Sequence, residues 1–326
     1  MNASFDAFVV SALFERSGRA AFALGDGTVR FETGETAEAH PDAGVQTAAL
    51  HPSGEGVVTG GDDGRLVWSR AGEPPLELAT VGGRWIDAVA SSADSGLIAF
   101  AAGKEAVVLH AGDPGFRRVF AHARSVADVA FDAKGRRLAC ATYGGAAVWF
   151  ARIEAQKPVF LKWAGSHVAA AWSPDGKFLI SAMQENALHG WRLADAKDMR
   201  MGGYPAKPKS VCFLADGRLM ATSGAQGAVV WAFRGNNGPM GEQASEVGPL
   251  ADGVTVTRVA GTPGRTVLAA GRADGRVWVA ELAGSKLEFV RDEAGAAVSA
   301  LAVSPKGDRI AWGDEDGAAG VANAPV

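Results

Sequence analysis

Eight short segments of this chain end on a large apolar residue at a nearly constant interval, and that interval restricts the possible folds more than any other feature. They read DGTVRF, DGRLVW, KEAVVL, GGAAVW, NALHGW, QGAVVW, DGRVWV and DGAAGV. Their closing residues, Phe31, Trp68, Leu109, Trp149, Trp191, Trp231, Val279 and Val321, stand 37, 41, 40, 42, 40, 48 and 42 positions apart. Ahead of these segments lies a turn and a second apolar run, clearest in SPDGKFLISA from Ser173 to Ala182. Weaker copies are HPSGEGVVTG, FDAKGRRLACA, FLADGRLMATSG, GTPGRTVLAAG and VSPKGDRIAWG. Before each turn stands a further apolar run, such as VVSALF from Val9, VADVAF from Val126 or VSALAV from Val298.

Each repeat therefore predicts three strands and two tight turns. Connections such as PPLELATV, FRRVFAH and KPVFLKW suit a fourth, outer strand. A period near 40 residues built from strands is the mark of a β-propeller blade. Helical solenoids share such periods but would not place Asp-Gly and Pro-x-Gly turns between short apolar runs. Runs such as LIAFAA and RLACAT are apolar at almost every position, as expected where both faces of a strand are covered. Inner runs such as VAAAW are rich in alanine, which fits the narrow end of a wedge. The reading is all-β: one closed propeller over residues 1–326, with eight blades favoured and seven as the alternative. The last blade would be completed only by a short strand from Met1 to Ala7.

Composition limits the function. The 43 glycines are spread evenly, which fits many turns rather than a disordered linker. A net charge of −4 gives no basic field to attract nucleic acid. Cys140 and Cys212 sit in apolar runs without metal-ligand spacing, as small buried hydrophobes do. The N-terminal run VVSALF has no basic leader and is too short for a signal peptide or a membrane span. The expected place is the cytoplasm, with no membrane contact.

In its lead-ins VADVAFDAKG and VAAAWSPDG the chain resembles the WD40-repeat family, and the likeness runs from about Phe5 to Ala324. The Trp-Asp pair that names the family is absent from every repeat: Trp68 precedes Ser69, Trp149 Phe150, Trp191 Arg192 and Trp231 Ala232. The resemblance implies a His, Ser/Thr, Asp and Trp network in each blade, and only repeat two offers the full set, His40, Thr59, Asp63 and Trp68. Even there Asp63 and Trp68 stand one position closer together than the family usually has them. Repeat four keeps His122 and Trp149 but has Cys140 and Gly144 at the other places. Apolar packing must therefore hold the blades more than this network does.

Signals for chemistry are few. Asp87, Asp128 and His167 are the candidates for a metal at a propeller channel, but they fall short of the three or four ligands of zinc or the six to eight oxygens of calcium. A structural or solvated role is the better reading of all three. No nucleophile elbow, P-loop or paired-histidine motif occurs. No cofactor or metal is expected. The leading reading is a non-catalytic scaffold or adaptor for other proteins. The alternatives are a metal-dependent propeller hydrolase or lyase with its site at the channel, or a subunit of a larger assembly.

The resemblance also implies that loops entering the inner strands and turns between second and third strands share one face. Entering loops carry Arg84 and Trp85, Arg124, His167, Lys207 and Lys209, in repeats three to six. Hairpin tips of repeats one, two, seven and eight carry Asp26, Asp62, Asp63, Asp274, Asp314, Glu315 and Asp316. These make a candidate partner-binding face, one part basic and one acidic. Turn propensity alone explains most of the aspartates. Trp85 beside Arg84 is more telling, because these two residue types dominate binding energy at protein interfaces. A second candidate is the longest connection, Arg234 to Gly253.

Overall fold

Strand alternation and turn chemistry carry through to structure in all eight repeats. The computed structural model describes residues 1–250, 252–284 and 286–325; within them the helical content is one 3-10 turn, Ala215–Gly217. The chain forms two compact bodies, Glu15–Trp172 and Met1–Phe14 with Ser173–Val326.

In the first body, repeat two is an antiparallel sheet of Val45–Leu50, Val57–Gly61, Arg65–Ser69 and Leu76–Thr80. Repeat three is Ala88–Ser92, Leu97–Ala102, Glu105–His110 and Asp113–Ala121. Repeat one contributes Ala20–Leu24, Thr28–Phe31 and Thr36–Glu38, and repeat four Val126–Phe131, Arg137–Phe150 and the first part of Val159–Trp172.

In the second body, repeat five supplies Phe178–Met183, Ala187–Arg192 and Lys197–Met201. Repeat six is Val211–Leu214, Leu219–Thr222, Ala228–Ala232 and Ser245–Val247. Repeat seven is Val256–Gly261, Val267–Arg272, Val277–Glu281 and Lys286–Arg291. Repeat eight is Val298–Val303, Arg309–Asp314 and Ala318–Asn323. Its fourth strand is Asn2–Ser4, which pairs Asn2 with Gly320 and Ser4 with Ala318. The short N-terminal strand expected from the sequence is thus present.

Among the described residues the strands make seven sheets, the alternative count, and not the eight favoured by the number of repeats. The reason is local. Arg137–Phe150 runs for 14 residues through both the second and third segments of repeat four. Val159–Trp172, also 14 residues, carries the outer segment of repeat four straight into the inner segment of repeat five. No strand break separates these two repeats, so they count as one sheet.

The core lies along the second strands. Ala20–Leu24, Val57–Gly61, Leu97–Ala102, Phe178–Met183 and Val267–Arg272 are buried at every position. Neighbouring repeats share apolar clusters: Val58, Leu66, Ile86 and Phe100 join repeats two and three, and Leu214, Val230, Val259 and Trp278 join six and seven. Fully burying one such side chain contributes roughly 1.5–3 kcal/mol. Close approach needs small residues at the seams. A Cβ at Gly313 would collide with Val9, and Gly60 and Gly271 face Ile86 and Val298 in the same way.

Polar bonds repeat along these seams as well. The Val89 N–H donates to Thr47 Oγ1 at 3.2 Å, the Ala170 N–H to Asp128 Oδ2 at 2.7 Å and the Val259 N–H to Ser210 Oγ at 2.7 Å. Inner strands of repeats two, four, seven and eight share a register shift after their first residue, at Val45, Val126, Val256 and Val298. Such bulges bend a strand and increase its twist.

Candidate partner-binding surface

Repeat two shows how a polar network fixes a hairpin tip. His40 is fully buried and its Nδ1 lies 3.0 Å from both carboxylate oxygens of Asp63, while Nε2 lies 2.8 Å from Thr59 Oγ1. Asp63 also accepts the Arg65 N–H at 2.9 Å. Trp68, expected as the fourth member, stands outside. Its indole N–H donates to the Glu55 carbonyl at 2.9 Å, and its ring stacks on His51 with centroids 3.8 Å apart. Burial and the Arg70 guanidinium push His51 down to about 4, so a neutral imidazole faces the indole. Side chains alternate across a strand, so the position lost between Asp63 and Trp68 turns the indole to the wrong face.

The tip set by this network supports the loop of Arg84 and Trp85. The Val81 N–H donates to the Gly64 carbonyl at 2.8 Å, and the Ile86 N–H to the Gly61 carbonyl at 3.1 Å. Gly64 has φ +74°, and a Cβ there would stand 2.5 Å from the Arg84 carbonyl oxygen. Only glycine fits both demands. On the other side Arg84 bonds Glu105 at 2.7 Å and the Ala102 carbonyl at 3.3 Å. Anchored on both flanks, the loop leaves Trp85 59% exposed, with no ring partner among the described residues.

A family model described as "WD domain, G-beta repeat" matches residues 33–68, which span His40, Thr59, Asp63 and Trp68. One repeat thus matches the WD40 model, and the chain as a whole has a β-propeller fold. Its fold is similar to that of the computationally designed Ika8 protein, with a TM-score of 0.77 at 18% identity over 98% of this chain and 97% of that one. It is also similar to the β-propeller domain of Myceliophteria thermophila Cps50 (Swd1), with a TM-score of 0.67 at 12% identity over 86% of this chain and 97% of that one. Among curated proteins, none matches the chain.

Repeats four and six carry altered forms of this polar network. In repeat four the Trp149 indole N–H donates to His122 Nε2 at 3.0 Å. In repeat six a tyrosine takes the place of histidine: Tyr204 Oη accepts the Trp231 indole N–H at 2.8 Å and lies 2.7 Å from Thr222 Oγ1. Sequence reading missed this substitution, although YPAKPKSV occupies the same lead-in position as HARSV.

The other site residues expected from the sequence divide sharply. Arg124 is exposed in the loop before Val126, Lys209 is exposed in the corresponding loop of repeat six, and Lys207 there bonds Gln184 at 3.1 Å. His167 is a correction. Expected at a loop tip, it lies inside the strand Val159–Trp172, 1% exposed, with Nε2 3.1 Å from the Trp163 carbonyl. The acidic positions carry bonds of their own, some within their turns and some to side chains more than twenty residues away. Asp26 accepts the Thr28 N–H and hydroxyl, and Asp274 meets Arg272 at 3.2 Å and Arg276 at 3.1 Å. Asp314 is 1% exposed, ion-paired with Arg291 at 3.0 Å and bonded to the Ala318 N–H. Together with Asp63 they hold turns, while Asp26 stays exposed.

Of the metal candidates, Asp128 accepts the seam bond from Ala170 described above, and burial pushes its carboxyl up to about 6. Among the described residues no group of three or more His, Cys, Asp or Glu side chains could hold a metal ion. Cys140 and Cys212 are free thiols, and burial pushes Cys212 up to about 12 and Cys140 higher still. Thiols held that high are poor nucleophiles. No helix among the described residues is long and apolar enough to cross a membrane.

Proposed function

We propose that this WD40 propeller is a non-catalytic scaffold that docks a partner protein on the loop of Arg84 and Trp85. The observation that carries the reading is Trp85 itself, a large aromatic side chain 59% exposed on a loop anchored at both flanks. A loop already ordered loses little entropy on binding, so its contact area converts efficiently into affinity. Arg124, in the equivalent loop of the next repeat, adds a second cation. Two unpaired cysteines with inert thiols support a reducing, cytoplasmic location. The reading treats the whole chain as one propeller domain with no nucleic acid or membrane contact.

The test is co-purification from native cells with wild type and with the Arg84→Ala, Trp85→Ala double variant. The expected result is loss of at least one stoichiometric partner by the variant at an unchanged melting temperature. Recovery of the same partners by both proteins would refute this surface.

A further inference from the structure

At the opposite end of the inner strand Ala88–Ser92 from Trp85, the turns of repeats three and four enclose a cleft of about 580 Å³. Asp94 and Ser95 come from one turn, Lys134 and Arg136 from the next, Phe150 from the end of the strand Arg137–Phe150, and Arg152 and Ile153 from the loop after it. Phe150 is 54% and Ile153 50% exposed. These two exposed apolar side chains share one cleft with a charged rim, the pattern of an interaction surface.

The loop is held in shape. Gln156 accepts the Phe150 N–H at 3.0 Å and donates to the Phe150 carbonyl at 2.7 Å. Arg152 donates to the Ser95 carbonyl at 2.7 Å, and its own carbonyl accepts from Arg118 at 3.2 Å. Charge gives the cleft its sign. Three cations, Lys134, Arg136 and Arg152, face one acid, Asp94, in a protein whose net charge is −4. Among the described residues no salt bridge within 4.0 Å neutralises any of the three. The Ser95 hydroxyl is buried there without a hydrogen-bond partner.

We propose that this cleft binds an acidic, extended protein segment that places a large apolar side chain between Phe150 and Ile153. The proposal rests on the scaffold reading but concerns a different end of the sheets and a different chemistry. Carboxylates of the segment complement the three cations, which favours encounter and orientation, and the apolar side chain supplies the buried area. A single-stranded nucleic acid would complement the charge as well. It would need a flat stacking face beside a continuous basic track, and Ile153 and Asp94 interrupt one here.

A phage-displayed library of random short peptides, selected on the full-length protein, tests the proposal. Enrichment of peptides combining several Asp or Glu with a Phe, Leu or Trp is expected. The best synthetic peptide should bind the Lys134→Glu, Arg136→Glu variant at least about tenfold more weakly. It should bind Ile153→Asp more weakly too, and Arg84→Ala, Trp85→Ala as tightly as wild type. Selection without acidic bias, equal binding to the charge-reversed variant, or tighter binding of a labelled oligothymidylate would overturn it. If native partners still co-purify through Trp85 while the selection fails, only the cleft falls; if neither gives a partner, the scaffold reading falls with it.

Discussion

Asp128 sits where a carboxylate is least at ease, half-buried at a seam with one backbone N–H, that of Ala170, as its bond across the repeats. Its pKa is raised from 3.8 to about 6, chiefly because burial disfavours the charged form. Between those two values the folded chain holds a proton that the unfolded chain has released. This group's contribution is therefore most favourable below the unfolded value and declines as pH rises to about 6, then stays level. Asp128→Asn keeps an oxygen for the Ala170 N–H and removes the ionisation. The variant should gain stability over wild type at pH 7 but not at pH 4, by up to about 3 kcal/mol. Urea unfolding at both values measures it, and parallel behaviour of the two proteins would show that the carboxylate is not desolvated.

At the scale of elements, the long connection after Phe233 is a structural strap. Asn236 accepts from Lys177 at 3.1 Å, and the Asn236 carbonyl and Asn237 Oδ1 accept from Arg192 at 3.2 and 3.1 Å. Gly238 packs against the Phe178 ring, and Ser245–Val247 then supplies the outer strand of repeat six. Ala251, near the end of the connection, lies outside the described residues. Deleting residues 236–241 should cost roughly 1–3 kcal/mol by removing these charged hydrogen bonds. Thermal melting tests this, and an unchanged midpoint would make the segment a passive insertion. The same scale explains what the sequence could reveal. Asp-Gly and Pro-x-Gly turns and apolar runs are local signals, so all eight repeats were legible. The fusion through Val159–Trp172 was not, because Gly165 and Ser166 look like a turn, and His167 was misplaced with them. The Phe150 and Ile153 cleft draws on turns more than fifty residues apart, and no local pattern announces such a meeting.

For the whole molecule, stability rests on the repetition of buried apolar strands. One complete His–Thr–Asp set, at His40, is all that repeat two retains, while the buried second strands recur from Ala20–Leu24 to Arg309–Asp314. The N-terminal strand Asn2–Ser4 and the packing of Val9 on Gly313 give repeat eight a fourth strand and a cover for its seam. The short strand was expected from the repeat spacing, whereas the packing of Val9 on Gly313 was not. The seven-sheet count was harder to foresee, because it depends on where one strand ends and not on how many repeats there are. Native-state amide hydrogen exchange tests most directly whether apolar seams hold the repeats. The expected result is that the second strands of all eight repeats exchange slowest, with similar opening free energies. Slow exchange confined to repeat two, around His40 and Asp63, would contradict it.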